Sequence, residues 1–172
     1  GFTPLDGVLM GTRTGSVDPS AVTFVAQKHG FTPNEMSDYM NKKSGFLGLS
    51  GVSSDNREVS AAAAHGDKRA CLVNEMLAYQ IKKDIGAYTA AMDGVDAIIF
   101  TGGIGENDPP TRENSCSDLD FFGIKIDKEL NKTVRGKKCK ISTPDSKVEV
   151  WVIPTNEELL IARDTLALIS NK

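Results

Sequence analysis

The chain has 172 residues, 40% of them hydrophobic and 25% charged, which is the composition of a soluble globular domain with a sizeable core. A net charge of −3 excludes a basic nucleic-acid-binding surface. Three widely spaced cysteines, Cys71, Cys116 and Cys139, with only His29 and His65 beside them, argue against a zinc site or a disulfide framework and point to a reducing cytoplasmic setting. No apolar run reaches membrane-spanning length, and no signal peptide is visible.

Helix starts can be read from their caps. Asp18-Pro19 places an N-cap before proline at the first helical position, predicting a helix to about His29 that stops at Gly30. Thr32-Pro33-Asn34-Glu35 is a capping box, and its helix is expected to end near Gly45. Asp55-Asn56-Arg57-Glu58 opens a third, short helix. A long helix follows from about Asp67 to Met92. Leu72, Met76, Leu77, Ile81, Ile85 and Tyr88 recur there at helical spacing, as one buried stripe would. Gly86 inside it suggests a close contact with a neighbouring element.

Asp96 to Thr101 reads as a buried strand running into the glycine-rich turn Gly102 to Asn107. Asp108-Pro109-Pro110 suits entry to a helix ending before Gly123. Ile124-Lys125-Ile126 and Lys140-Ile141-Ser142 are short alternating segments, and Val148 to Ile153 is a better strand. Asn131 to Lys138 reads as the segment most prone to disorder, and the basic run from Arg135 to Lys140 as a solvated loop. Thr155-Asn156-Glu157-Glu158 is a capping box that opens a C-terminal helix to about Ser170. The order of elements predicts an α/β fold with a sheet flanked by helices.

Four segments could carry chemistry. Glycines after a stiff strand let backbone approach a ligand, and N–H groups in such a turn attract phosphate. Gly103, Ile104, Gly105, Glu106 and Asn107 are therefore candidate nucleotide contacts, with a plain structural turn as the alternative. Arg13 stands between Gly11 and Gly15. An arginine presented this way can stabilise charge on a transferring phosphoryl group, or it can simply be exposed. Asp55, Asn56 and Arg57 close a polar stretch that could wall a nucleotide, or could be a loop with an Asp cap. If Glu158 folds back on a Thr155 cap, Glu157 is left free to hold Mg²⁺. Its alternative is an acid that complements the helix dipole.

Six segments in order resemble the acetokinase family, within the acetate and sugar kinase/Hsp70/actin superfamily. They are Gly-Phe-Thr-Pro-Leu-Asp-Gly at the start, Met-Gly-Thr-Arg-x-Gly-x-x-Asp-Pro at 10–19, Ser-Gly-Val-Ser-Ser-Asp at 50–55, and Ala-Tyr-x-Ile-Lys-Lys-x-Ile-Gly-Ala-Tyr at 78–88. Phe-Thr-Gly-Gly-Ile-Gly-Glu-Asn at 100–107 and Ile-Pro-Thr-Asn-Glu-Glu-Leu at 153–159 complete the set. The resemblance implies a ribonuclease H-like/actin-like ATPase domain, the C-terminal half of a two-domain kinase. On this reading residues 1–172 form one nucleotide-binding and dimerising domain, and the absent initiator methionine is explained. The family's N-terminal catalytic aspartate, its transition-state histidine, a second substrate arginine and the loop His-Leu-Gly-x-Gly have no counterpart here.

The resemblance further implies roles. Arg13 matches the transition-state arginine. Asp55, Asn56 and Arg57 match a nucleotide-contacting triplet, with Asn56 where many members carry an aromatic. Gly103 to Asn107 match the adenosine- and phosphate-contacting loop, and Glu157 matches the glutamate of a Mg²⁺ (or Mn²⁺) site. The implied reaction moves the γ-phosphoryl of ATP to acetate, giving ADP and acetyl phosphate, in a cytoplasmic homodimer with no nucleic-acid or membrane partner. This chain alone is expected to have little or no activity. The alternatives are a propionate, butyrate or pyrophosphate-dependent relative, and a non-catalytic dimerisation module. A Rossmann dehydrogenase fails, because Glu106-Asn107-Asp108 follow Gly105 and the third glycine of its fingerprint is missing.

Overall fold

The computed structural model describes residues 1–170, with Glu157 described by its backbone alone. The chain divides into two compact units, Gly1–Asp93 and Gly94–Lys172. The first is helical: α1 (Pro19–His29), α2 (Pro33–Lys42), α3 (Gly45–Ser50), α4 (Asn56–Ala64) and α5 (Lys68–Ala91). The local signals explain these boundaries. Asp18 caps α1 by accepting from the Ser20 N–H, and Gly30 closes it in the left-handed conformation. Thr32 and Glu35 form the expected reciprocal box at α2. Asp67 caps α5 by accepting from the N–H groups of Arg69 and Ala70.

The core of this unit gathers along α5, which packs on α3 and α4. Leu9, Phe46, Val59, Ala70, Val73 and Leu77 are all buried there. The buried face of α5 matches the expected stripe only in part: Leu77 is buried and Met76, Ile81 and Ile85 are half-buried. Ala70, Val73, Leu77, Ala78 and Thr89 point inward, whereas Leu72 and Tyr88 are 51% and 66% exposed. Moving one residue along a helix turns the face by about 100°. The inward face is turned toward Ala70, Val73 and Ala78, whose small side chains suit the close packing of α3 and α4. Nor does Gly86 mark a contact: nothing among the described residues lies within 4 Å of where its Cβ would be. Arg69 ties α5 to the last turn of α3 by donating to the carbonyls of Leu49 (2.6 Å) and Gly48 (2.9 Å), a favourable place for a cation.

The second unit holds β1 (Ala97–Phe100), α6 (Gly102–Asn107), α7 (Pro109–Cys116), α8 (Lys128–Thr133), β2 (Cys139–Lys140), β3 (Glu149–Val152) and α9 (Glu157–Ser170), with a 3₁₀ turn at Asp120–Phe122. The sheet is mixed and ordered β1-β3-β2, with β1 parallel and β2 antiparallel to β3. Together with the helices this is the α/β class expected from the order of elements. The central strand obeys period two: Val150 and Val152 are fully buried, and Trp151 faces the other way. Ile124, Val134, Ile141 and Val148 complete the core.

Four expectations need correcting here. The strand before the glycine turn is an edge strand, with Phe100 buried but Ile99 55% exposed. Its apolar run recorded strand propensity, whereas burial depends on what covers each face. The helix after Asp108 ends at Cys116, where Ser117 turns extended, and only a 3₁₀ turn precedes Gly123. The segment beginning at Asn131 is not loose throughout: Asn131 lies in α8, and both Asn131 and Val134 are fully buried. Finally, Asn156 Oδ1 accepts from the Leu159 N–H at 3.0 Å, so Asn156 rather than Thr155 caps α9. The Thr155 hydroxyl is engaged elsewhere, as described below.

Candidate functional site

In the first unit, Arg13 sits on a segment whose main chain is fixed at many points. Met10 O accepts from the Phe46 N–H (2.9 Å), Gly11 O from Leu47 (3.0 Å) and Thr12 O from Ser44 (2.9 Å). Thr14 donates to Met40 O at 3.0 Å, and the Thr12 hydroxyl donates to Asn41 O at 2.8 Å. Gly45 makes this fit possible. It holds φ +59°, and a Cβ there would stand 2.0 Å from Met10 O and 2.6 Å from Arg13 O. The Arg13 guanidinium is lightly held by comparison. Its Nη1 donates to the Pro4 carbonyl at 3.5 Å and to Met10 Sδ at 4.0 Å, and no carboxylate among the described residues forms an ion pair with it.

The polar stretch at Asp55 lies against the same segment. A Cβ on Gly11 would stand 2.7 Å from Ser54 O, so the Arg13 loop and the entry to α4 meet closely. Asp55 caps α4 through the Arg57 N–H at 2.8 Å and pairs with the Arg57 guanidinium at 2.5 Å. That side-chain hydrogen bond, reinforced by the backbone bond, lowers the Asp55 carboxyl to about 2. Asp55 thus opens the short helix expected there, with its cap bond running to Arg57. The Arg57 side chain is 90% exposed, so its head faces solvent while folding back on Asp55. The structure thus brings Arg13 and the triplet Asp55, Asn56 and Arg57 into one neighbourhood.

In the second unit, the glycine turn takes a shape not foreseen from sequence: Gly102 to Asn107 wind into the short helix α6. Gly102 takes φ +71°, which a side chain would resist. Gly105 lies against the preceding strand, where a Cβ would be 3.2 Å from the Phe100 carbonyl carbon. Gly103 has neither reason to be glycine: no described atom lies within 4 Å of its Cβ position, and its φ is not left-handed. The turn is held by side chains. Asn107 Nδ2 donates to Gly103 O at 3.0 Å. The Glu106 carboxylate accepts from the Thr155 N–H (2.9 Å) and hydroxyl (3.0 Å). The Thr155 backbone bond is the main cause holding Glu106 below the usual carboxylate range.

That contact joins the turn to the start of α9. Glu157 is the first residue of α9, two positions beyond Thr155. Its side chain lies outside the described residues, so the free carboxylate expected there is placed only by its backbone. Among the described residues no group of three His, Cys, Asp or Glu side chains could hold a metal. Mg²⁺ arriving with nucleotide phosphates needs only one or two protein carboxylates, so a single glutamate suits such an ion.

Sequence reasoning missed Arg112 on α7. It has no exposed surface. Its Nη1 donates to Gly105 O (2.9 Å), Nε to Asn131 Oδ1 (2.8 Å), and Nη2 to Asn131 O (3.1 Å) and Val134 O (2.9 Å). Asn131 in turn donates to Pro109 O at 3.0 Å. Burial, then the charge of Arg135, pulls the Arg112 pKa below its ordinary value. No local pattern marks such a residue, because arginine is rarely buried and here its acceptors are carbonyls.

Comparison with known proteins places this arrangement. The acetokinase family profile matches residues 1–163. The acetate kinase of Thermotoga maritima is 57% identical over 171 residues, covering 98% of this chain and 42% of that protein. The crystal structure of Porphyromonas gingivalis acetate kinase superposes with a TM-score of 0.93 at 51% identity, over 98% of this chain and 42% of that one. A propionate kinase from Francisella tularensis matches with a TM-score of 0.85 at 41% identity, over 94% of this chain and 41% of its own. The chain therefore spans somewhat less than half the length of its relatives. At the level of fold and sequence alike, the chain belongs to the acetokinase family.

Proposed function

We propose that this chain supplies the nucleotide-binding half of an acetate kinase, which moves the γ-phosphoryl of ATP to a carboxylate oxygen of acetate. The observation that carries this reading is 57% identity to a curated acetate kinase over 98% of the chain, a span that includes every candidate site residue. Phosphoryl transfer proceeds through a loose transition state with charge spread over the equatorial oxygens, so catalysis is mostly positioning and charge stabilisation. Arg13 is the group suited to that charge, with its backbone fixed and its head little engaged. Asp55, Asn56 and Arg57 line the nucleotide side of the first unit. In the second, Gly103, Ile104, Gly105, Glu106 and Asn107 receive adenosine and phosphate. Bound Mg²⁺ (or Mn²⁺) would neutralise phosphate charge, and Glu157 is the residue that would hold it.

The whole of 1–172 would then act as a C-terminal nucleotide-binding and dimerising part, working in the cytoplasm. A homodimer contact could draw on exposed aromatic and apolar side chains such as Phe24, Tyr79, Tyr88 and Met92, each above 60% exposed. No helix among the described residues is long and apolar enough to cross a membrane. Because the remaining catalytic groups of the family have no match here, the isolated chain is expected to bind nucleotide without turnover.

Titration calorimetry of the purified chain tests the reading: MgADP should bind, and pyrophosphate more weakly. Pyrophosphate binding in preference to MgADP would favour a pyrophosphate-dependent relative. An acetyl phosphate assay should show little or no product, and turnover near that of a complete kinase would refute the division of labour. The propionate kinase neighbour makes acyl chain length the second question. It is answered by comparing acetate with propionate once the chain is part of a complete enzyme.

A further inference from the structure

The glycine turn is held from behind by a charge that never reaches its open side. Arg112 is fully buried, yet among the described residues no carboxylate accepts any of its hydrogen bonds. Burying a guanidinium is costly unless its donors are satisfied. Here the donors are spent on carbonyls at two places. One is Gly105 O, inside the turn. The others are Asn131 and Val134, at the end of α8. The planar fork of arginine can bridge such sites at fixed angles, which a lysine ammonium cannot. The residue after Gly105, Glu106, is tied by its carboxylate to Thr155, and Gly136 donates its N–H to Glu106 O at 3.2 Å.

A turn of small residues has little intrinsic rigidity, since glycine gives up the most conformational freedom on ordering. If its backbone meets a ligand, ordering it beforehand spares that loss at binding. We propose that Arg112, backed by Asn131, is the positioning residue of the glycine turn, holding the Gly105 carbonyl so that Gly102–Asn107 is preformed for nucleotide. The function of the turn rests on the kinase reading above, but the clamp itself does not. Arg112 is fully buried and meets the turn at the Gly105 carbonyl. It acts through the backbone it holds.

The test uses the 172-residue chain and its R112K and R112M variants. Amide hydrogen exchange is followed by NMR at Gly103–Asn107 and, for reference, at Glu149–Val152 in β3. Affinity for MgADP is measured by calorimetry. The clamp requires at least tenfold faster exchange in the turn with β3 rates unchanged, and at least tenfold weaker MgADP binding. R112K keeps the charge but not the fork, so it should rescue only a minor part. Unchanged exchange in the turn, or a uniform rise across the unit, would overturn the proposal. So would full rescue by R112K, or a loosened turn that binds MgADP as before. Should R112M not fold, N131A removes the side-chain acceptor of Nε and the Asn131–Pro109 bond but leaves the other three bonds of Arg112, and the same criteria apply. Failure of the wild-type chain to bind MgADP would remove the nucleotide reading, while the exchange comparison still decides the clamp.

Discussion

The Arg13 loop and the glycine turn solve opposite problems. In the loop the group expected to work is a side chain, and the main chain beneath it is fixed by hydrogen bonds to the α2–α3 junction. In the turn the group expected to work is the main chain, and the fixing is done by side chains: Arg112, Glu106 and Asn107. Each region uses for support the kind of group that its proposed role does not need. A helix cap or a buried strand can satisfy its own backbone. A short segment left open to a ligand cannot, and must borrow donors and acceptors from farther along the chain.

The largest effect should come from breaking the support of the Arg13 loop. At Gly45 a Cβ would stand 2.0 Å from Met10 O, and the residue holds φ +59°. Strain in the left-handed region and the clash with backbone should together cost about 3 kcal/mol in Gly45→Ala. Urea unfolding of the variant measures it. A loss below about 1 kcal/mol would mean that the loop yields easily and is not the rigid platform described.

The turn gives the complementary test. Gly103→Ala meets open space and an ordinary backbone angle, so the fold should tolerate it and gain a few tenths of a kcal/mol of helix propensity, roughly. If the backbone at Gly103 is where ligand comes close, MgADP binding should nevertheless weaken about tenfold, or ~1.4 kcal/mol. Unaltered affinity in a stable variant would show that the ligand does not pass over this residue.

These contrasts also show what a single sequence could disclose. The Thr32–Glu35 box and the Asp18-Pro19 cap were legible because the donors and acceptors involved lie within a few residues of each other. The cap of α9 was not. Thr155 and Asn156 are both competent caps, and the choice is made by Glu106, which occupies the Thr155 hydroxyl from 49 residues away. Arg112 and Asn131 were invisible for the same reason, 19 residues apart and without charge complementarity to signal the pairing. The candidates Arg13, Asp55 and Gly103 could be named from glycine and polar spacing. Which of them is held, and by what, depends on contacts that spacing does not encode.

A smaller effect concerns the entry to α4. The Asp55 carboxyl is lowered to about 2 from 3.8 by the Arg57 side chain first and the Arg57 N–H second. A carboxylate depressed in the folded state stabilises above its unfolded pKa, and that contribution is lost as pH falls through the folded value. The cap should therefore stay intact at pH 4 and weaken between about pH 4 and pH 2. Following the Asp55 carboxyl carbon by NMR should give a midpoint near 2 in the wild type and a higher one in Arg57→Ala. A wild-type midpoint in the ordinary range would mean that the pair does not persist in solution, leaving Arg57 free for a ligand.

The smallest effect on the fold should be at Arg13 itself, and its smallness is the point. Arg13 is half-buried, but its guanidinium donates only to a carbonyl at 3.5 Å and a methionine sulfur at 4.0 Å among the described residues, near the limit of a hydrogen bond. Arg13→Ala should therefore change unfolding free energy by no more than about 0.5 kcal/mol, the range of substitutions that touch no structural feature. In a complete enzyme the same change at the matching arginine should lower kcat on the order of 10²-fold or more, as removal of a transition-state donor does. A stability loss comparable to that of Gly45→Ala would place Arg13 among the supports of the loop. The contrast between the two regions would then collapse, because both would be held by side chains. A neutral effect on unfolding, paired with a large one on turnover, would leave the arginine as the one part of its loop that the fold does not need.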